Sequence, residues 1–577
     1  MSVHEFDFAV VGAGAAGCVL ASRLSENPAR SVVLIEAGKD FAQGVPPPHV
    51  RDARFRAHFD PSLFTEDFPI TVRAGLVGRS PRSAMYRQPR GMGGGSSVNA
   101  MHAQRGTPED YAELRQFGIA GWAWEDVLPF FRKCETDCDF GGELHGSDGP
   151  IKISRIPDRD WSPFSQRLSE VLRERGVPRC DDFNATSGDC VSAVPLNMRH
   201  GERVSVATAY LSPEVRRRPN LTVLANAEVR RVLIERGRAV GVEYQSPDGP
   251  KPVKAAEVIL SAGALFSPAI LLRSGIGPAD QLRAAGVPIV ADRAGVGSSL
   301  RNHVHFSFLV HLKACARQRS ERRAPCAMAA RYSSGVAGCP PSDMILNLWE
   351  RAPGSLEWDP LSRQMAMLMV LANKTYSHGS VRLNAADPNG LPVIDFNLMS
   401  DPRDLQRMVT GLRFVSSILA EPRLAGTLNA CFVPVAGSLM KSVTKYNLRS
   451  TGLSAAGAFV LSCGRAVRNT FLERAGAPLA RFTRDDASLR EAILEYAMPA
   501  THATGTCPMG AHSRHESVID NQCRVIGVRG VRVVDGSIFP ITLRAGMHLP
   551  IIMAAEKVAS EIAAEMSNSR MAEAQNA

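Results

Sequence analysis

The apolar positions of this chain fall into short strand-like runs, each followed by glycine and then by a helix-like stretch. Residues 6–11 are almost continuously apolar and pass straight into Gly12-Ala13-Gly14-Ala15-Ala16-Gly17. Val19, Leu20 and Leu24 then recur at helical spacing, which predicts a helix over residues 15–24. A second apolar run, residues 32–35, ends on Glu36. The pattern returns at 221–280. There, residues 221–223, 228–232, 240–244 and 257–261 read as strands, and residues 269–272 as a helix behind a Gly-rich turn. It returns once more at 530–562. The intervening chain differs: residues 41–100 are rich in Pro, Gly and Arg with few periodic runs, and residues 164–175 read as an isolated helix. The pattern predicts one α/β nucleotide-binding domain with a second domain inserted into it.

Length supports two domains, because 577 residues exceed what one ordinary core organises. The net charge of +10 raises the question of nucleic acid. Arginine is spread along the whole chain, however, and no basic stripe carries interleaved aromatics, so no nucleic-acid partner is expected. The densest basic stretch, residues 317–323, reads as a solvated loop. No apolar run approaches the roughly 20 residues that span a bilayer, so no stable membrane insertion is expected. The first strand begins almost at once, without a basic segment, apolar segment and cleavage site, so the expected location is cytoplasmic. The twelve cysteines are scattered and are expected to be reduced. Cys134 and Cys138 are four apart in a predicted helix, but no second pair completes a zinc pattern, so no metal is expected.

The first Gly-rich turn carries specific chemistry. Gly12, Gly14 and Gly17 let backbone N–H groups approach a pyrophosphate, and Ala15 and Ala16 open a helix whose N-terminus favours an anion. Glu36 stands where a carboxylate would accept hydrogen bonds from ribose hydroxyls. The turn follows a strand, opens a helix and precedes that acid, so a dinucleotide is expected; this motif alone does not separate NAD from FAD.

Four further segments accompany it in order: RQPRGMGGGSSVNAMHAQRG (87–106), AGALFSPAILLRSGIG (262–277), HATGTCPMG (502–510) and DGSIFPITLRAGMHLPIIMAAEK (535–557). Together they resemble the glucose–methanol–choline (GMC) oxidoreductases along nearly the whole chain. Within that family the chain looks most like bacterial oxidases of aromatic or furanic primary alcohols. The resemblance implies FAD and a mixed α/β fold: a Rossmann-like FAD-binding domain and an inserted substrate domain on a mixed or antiparallel sheet. The implied FAD-binding parts are 1–155, with a flavin-covering loop at 80–106, then 221–305 and 491–577; the substrate domain takes 156–220 and 306–490.

The resemblance also places the cofactor contacts. Arg90, Gly91, Met92, Gly94, Gly95, Ser96, Asn99, Ala100 and Met101 would lie along the pyrophosphate and isoalloxazine. Glycines there leave no side chain above the backbone, so a flat ring can rest on it. Ser96 and Asn99 would offer polar contacts. Val229 would meet adenine through its backbone, and Ala262, Asp535 and Gly536 would sit near the ribityl chain and pyrophosphate. A helix starting near Leu549-Pro550, just after His548, would aim its positive end at the flavin. Val98 stands where some members carry a histidine bonded to the flavin; valine has no nucleophile, so the FAD is expected to be noncovalent.

Oxidising an alcohol with a flavin requires a base for the hydroxyl proton, and histidine titrates in the right range. His502 matches the family's active-site histidine before Gly505-Thr506. Most members carry a second His or Asn where this chain has Gly546. Losing one of two donors costs about 2–4 kcal/mol in such a site. His548 could substitute, or the gap could admit a bulky substrate. His303 and His305 read as scaffold. Arg544 would either hold an anionic substrate or pair with a nearby acid. The expected activity is oxidation of a primary alcohol, aromatic or bulky, to the aldehyde, with electrons leaving to O2 or a quinone-like acceptor. The alternative is a hydroxynitrile lyase on the same fold, with FAD kept out of redox chemistry.

Overall fold

A computed structural model describes residues 5–75, 80–319, 324, 326–352, 360–435 and 448–576. Residues 320–323 of the basic stretch at 317–323 lie outside the described residues. One sheet runs, in order, Leu221–Leu224, Val32–Ile35, Glu5–Val11, Gly249–Leu260, Arg238–Ser246 and Glu228–Glu235, with Val531–Val533 also paired to Gly249–Leu260. Its central pairs are parallel, and Val32–Ile35 is buried at all four positions. Such a strand reads as an unbroken apolar run because helices or loops cover both faces. Helix Ala15–Leu24 crosses behind the first strand, and the C-terminal helix His548–Asn576 packs on it. Arg23 on the first helix donates from Nε (2.9 Å) and Nη2 (2.7 Å) to the two oxygens of Glu556, which also accepts from Tyr210 (2.8 Å). The chain's two ends are thereby tied together inside one core.

A second sheet is antiparallel throughout. Its main path is Ala477–Pro478, Leu428–Val433, Val304–Leu312, Met365–Ala372, Met344–Trp349, Cys326–Tyr332 and Cys190–Ala193. Helices Pro402–Leu419 and Pro163–Glu174 bury their apolar faces in the core beneath it. The molecule therefore joins a nucleotide-binding sheet to an antiparallel one, as the fold class required.

Three expectations change. Residues 41–100 are not merely irregular: Phe68–Arg73 and Arg82–Tyr86 form a hairpin that joins Val393–Asp395 and Ser380–Arg382 in a four-stranded sheet. Phe68, Ile70 and Val72 alternate inward; their strand pairs locally with Arg82–Tyr86, but its other neighbour, joined at Thr71 and Asp395, lies some 300 residues away in sequence. Cys134 and Cys138 do not share a helix. That helix, Trp124–Cys134, ends at the first of them, and strand Glu135–Asp137 follows. The C-terminal helix begins at His548, slightly earlier than expected. All twelve cysteines are free thiols, and half of them are buried.

Behind the strand Glu135–Asp137 lies a buried ionic cluster. His145 Nε2 bonds Asp182 at 2.8 Å, and its Nδ1 lies 3.1 Å from Asp137. Arg155 bridges Asp137 and Asp182 (2.8 and 2.9 Å), and Arg105 pairs with Glu135. Burial alone would depress the His145 imidazole, but bonds to Asp137, Asp182 and Glu135 raise it to about 10. Glu135, Asp137 and His145 could converge on a cation. The guanidiniums of Arg105 and Arg155, with the protonated imidazole, already supply the matching positive charge.

These histidines set how stability depends on pH. His145 is raised, so its contribution is complete below the ordinary value of 6.5 and is lost as pH climbs through about 10. His58, His102, His303, His305, His311 and His548 are each pushed down to about 4 by burial. They must be neutral in the fold and charge on unfolding, so the stability they permit is lost as pH falls from 6.5 towards 4, by up to about 1.4 kcal/mol per pH unit per histidine. Denaturant unfolding against pH should show both limbs. Replacing His145 by Gln should flatten the alkaline limb and leave the acid limb in place; an unchanged alkaline limb would contradict this account.

Candidate active site

The dinucleotide cradle is built by close backbone approach. Gly12 has φ +97°, and a Cβ there would lie 2.5 Å from the Ser261 carbonyl oxygen. A Cβ on Gly17 would lie 1.8 Å from the Gly12 oxygen. Gly14 caps helix Ala15–Leu24 without a side-chain bond, which leaves the first helical N–H groups, at Ala15 and Ala16, available to an anion. Glu36 is buried and accepts from the N–H groups of Ala13 (2.8 Å), Gly38 (2.8 Å) and Gly91 (3.0 Å). This carboxylate thus fastens the first turn, the loop after the second strand and the 87–106 loop to one another. Its work within the fold was not part of the sequence reading, which gave it only the ribose.

The 87–106 loop wraps onto that turn. Gly94 has φ +48°, and a Cβ there would meet Gly14 Cα at 2.9 Å, whereas Gly95 faces open space. The Ser96 hydroxyl, expected to offer a polar contact to the cofactor, is engaged within the protein. Its Oγ donates to the Gly93 oxygen (2.6 Å) and accepts from the Val206 N–H (3.1 Å), bracing the loop from within. Asn99 Oδ1 accepts from Arg203 (2.8 Å) and from the Met101 N–H (3.0 Å), so only its amide NH2 is left for a ligand. Met92 and Met101 are buried, with Met101 at φ +63°, and Ala100 packs beside the second core. Arg90 bonds the Ala37 oxygen and Glu228 and, with Lys39 and Asp40, lines a cavity of about 250 Å3. Val98 packs with Val50, Ala57 and Phe64.

The other predicted contacts close the cradle. Asp535 is buried and bonds Gly263 N–H (2.9 Å), Ser267 Oγ (2.6 Å) and Ser537 N–H (2.8 Å). Burial raises its carboxyl, against these bonds. Gly536 lies so near Ala503 that a Cβ would stand 2.9 Å from its carbonyl oxygen. Ala262 donates its N–H to Ser267 Oγ, Val229 sits on a strand of the sheet, and Leu549 is buried in the core, leaving its backbone at the helix start. Open glycine faces, a free helix N-terminus and unpartnered buried atoms on Ser261, Ser537 and Arg203 fit a dinucleotide such as FAD.

The chemistry gathers at His502. Its Nδ1 lies 3.0 Å from His303 Nδ1, and His303 Nε2 lies 2.8 Å from the Leu543 carbonyl oxygen. A carbonyl oxygen only accepts, so His303 carries its proton on Nε2 and its Nδ1 accepts from His502 Nδ1–H. His502 Nε2 is then left with a lone pair. A Cβ on Gly546 would lie 3.6 Å from that Nε2, so the missing side chain opens space directly beside that nitrogen. Burial, then the rings of His303, His102 and His305, hold His502 well below the ordinary 6.5, so it is neutral and ready to accept a proton. Asn302 Oδ1 fixes the His502 N–H at 3.0 Å.

His548 is not brought to His502: among the described residues it neither bonds nor stacks on that ring, and the charge acting on it is Arg203. His102, which the sequence reading passed over, is a second ring, after His303, that acts on His502, and among the described residues its buried Nε2 has no partner. A lone histidine inside a Gly-rich segment carries no sequence signal for this. Arg544 does not face the pocket either. It is buried and bonds Asp110 through Nη1 (3.0 Å) and its backbone N–H (2.8 Å), and Thr107 (3.1 Å).

A dinucleotide cradle of this build beside a neutral, oriented imidazole defines a flavin-dependent oxidoreductase acting on CH–OH groups. Family models for the GMC oxidoreductases match residues 6–305 and 375–555, and the chain belongs to that family, whose cofactor is FAD. It is 37% identical to a 5-(hydroxymethyl)furfural oxidase of Methylovorus sp. (strain MP688), over 96% of this chain and 98% of the relative. It is 30% identical to a pyridoxine 4-oxidase of Microbacterium luteolum, over 96% and 98%. Among solved structures, pyridoxine 4-oxidase from Mesorbium loti superposes with a TM-score of 0.78 at 27% identity, over 96% of this chain and 99% of that one. No helix among the described residues is long and apolar enough to cross a membrane.

Because Gly94 combines a left-handed φ with a 2.9 Å approach to Gly14, Gly94→Ala should force these two loops apart. The purified variant should keep its far-UV circular dichroism and lose about fivefold to 150-fold in FAD affinity, since strain at such a position costs about 1–3 kcal/mol. Full flavin occupancy with wild-type affinity would contradict the cradle described here.

Proposed function

We propose that the protein oxidises a primary alcohol, aromatic or otherwise bulky, to the aldehyde, with His502 Nε2 taking the hydroxyl proton. The observation that carries this reading is the chain from the Leu543 carbonyl through His303 to His502, which leaves the lone pair on the nitrogen facing Gly546. When bound, FAD supplies the two-electron acceptor for the hydride that leaves the carbinol carbon. His502 holds the proton while the alkoxide develops. His303 keeps the base in the reactive tautomer and shares the imidazolium charge once His502 is protonated. His102 is the group offered for the place that Gly546 leaves empty, with an unpartnered Nε2 able to bond the substrate oxygen.

The substrate class follows from space and from likeness. Gly546 vacates volume beside the base, and the relatives act, by name, on a furfural alcohol and on pyridoxine, both hydroxymethyl groups on flat rings. An anionic substrate held by Arg544 is not part of this reading, because Asp110 already takes that guanidinium. Electrons leave to O2 or to a quinone-like acceptor. The first sheet and the C-terminal helix serve the cofactor, and the antiparallel sheet serves the substrate side.

Anaerobic stopped-flow reduction by a hydroxymethyl-arene tests the base. His502→Ala should retain FAD and lose about 100-fold or more in reduction rate, the usual size of a general-base contribution. Barely changed reduction would remove His502 from the reaction. Since His502 is held neutral, the acid limb of kcat/KM should fall below pH 6.5, and a limb above 6.5 would contradict its burial. His102→Val should cost about 100-fold in reduction rate with FAD retained, the low end for losing one donor to a developing oxyanion; an unchanged rate would leave Gly546 uncompensated. FAD should also come away on acid or heat denaturation, because Val98 cannot bond it; flavin left on the denatured chain would refute this.

A further inference from the structure

One buried polar group at the Gly546 end of the pocket has no part in the reaction described so far. Gln104 is 3% exposed, and its Oε1 accepts from the Gly546 N–H at 3.3 Å. A backbone N–H only donates, so this contact assigns the oxygen of the side-chain amide and leaves both hydrogens on Nε2. Among the described residues that buried Nε2 has no partner. A buried donor left unpaired is costly, and the cost is recovered when an acceptor enters beside it.

The chain around Gln104 is held on both sides. His102 bridges to Leu196, and the Ala103 N–H donates to the Pro195 oxygen (2.8 Å). Asn184 grips the same stretch from both of its amide atoms: Nδ2 donates to the Ala103 oxygen (2.9 Å), and Oδ1 accepts from the Arg105 N–H (3.3 Å). Arg105 is itself locked by Glu135 and by the Leu144 oxygen (2.6 Å). In extended chain, residues two apart share a side, so His102 and Gln104 leave this fixed backbone together while Ala103 turns into the core. Gly546 then joins Gln104 to the reacting centre. Its N–H holds the Gln104 oxygen, and its vacant side-chain position lies 3.6 Å from His502 Nε2. One residue thus separates the amide from the nitrogen that faces the alcohol, and only a substrate atom close to the carbinol carbon can meet it.

We propose that Gln104 Nε2 donates a hydrogen bond to an acceptor on the substrate ring, next to the ring carbon that bears the hydroxymethyl group. The enzyme then selects arylmethanols with a ring nitrogen, ring oxygen or ring hydroxyl at that position. This rests on the reading of His502 Nε2 as the atom that takes the hydroxyl proton. The physical need is orientation. His502 and His102 both act on the alcohol oxygen, and two contacts at one atom leave the ring free to turn about its bond to the carbinol carbon. A third contact on the ring stops that rotation and fixes which C–H bond is presented for transfer. An alcohol without the acceptor leaves the Gln104 amide buried and unpaired, and such a site rejects it for that reason.

The test is anaerobic stopped-flow reduction of the holoenzyme at pH 8 by benzyl alcohol, 2-pyridylmethanol and 4-pyridylmethanol. The two pyridines withdraw electrons alike and differ in whether the nitrogen lies beside the hydroxymethyl-bearing carbon or across the ring from it. The 2-isomer should exceed the 4-isomer in reduction rate constant over Kd by about fivefold to 150-fold, the span for a buried donor satisfied against one left unpaired. In Gln104→Met, which keeps the volume and removes the donor, that ratio should fall to about one. The wild-type ratio needs no variant to fold, and bound flavin checks the variant. A wild-type ratio near one would overturn the proposal. So would a ratio that survives in Gln104→Met, including a variant that loses FAD affinity with the ratio intact, which would give the amide to the cofactor. Failure of all three alcohols to bleach the flavin would refute the alcohol oxidation itself, and this proposal with it.

Discussion

The carbonyl oxygen of Leu543 can only accept a hydrogen bond, and the active site depends on that restriction. It fixes the proton of His303 on one nitrogen, which fixes the proton of His502 on Nδ1, which frees Nε2. Each residue of the relay comes from a different part of the chain. Leu543 lies in the segment before the C-terminal helix, His303 just before the long strand Val304–Leu312, and His502 just after Met498–Pro499, which pairs with that strand. The pairing of Val304 with Pro499 thus helps hold the two Nδ1 atoms 3.0 Å apart. The proposed base is oriented here by sheet register as much as by its own side chain.

The same economy governs the cofactor side. One buried carboxylate, Glu36, binds three amides from three loops, and Asp535 does the same for the turn at 263–267 and its own segment. Both acids therefore shape the cradle through backbone N–H groups. Glycines at 12, 17 and 94 allow that approach because a side chain on any of them would collide with backbone. Electrostatics differ across the molecule. Around His502 the buried rings are neutral, whereas around His145 a buried imidazolium and the guanidiniums of Arg105 and Arg155 together balance three acids. The first arrangement favours accepting a proton; the second favours rigidity behind the Arg105 end of the cofactor loop.

Local signals made the cradle legible. A strand, a Gly-rich turn, a helix and a terminal acid occur within one short stretch, and helix Ala15–Leu24 lies where the spacing put it. His502 was legible through its place before Gly505-Thr506. What escaped depends on distant partners. The hairpin Phe68–Tyr86 needs a strand near residue 394, and Arg544 is turned away from the pocket by Asp110, more than 400 residues earlier. Ser96 looked like a ligand-facing hydroxyl until Val206 was seen to use it. His102 has no pattern in one dimension, since its meaning lies in a buried nitrogen that finds no partner among the described residues.

The central claim is that neutral His502 carries its proton on Nδ1 and presents Nε2 to the substrate. Nitrogen-15 NMR of histidine-labelled holoenzyme at pH 7, with the His502 signals assigned by difference from His502→Gln, reads this directly. The account predicts a pyrrole-type shift for Nδ1, a pyridine-type shift for Nε2, and the reverse assignment at His303. A proton on His502 Nε2, or an imidazolium at pH 7, would contradict it.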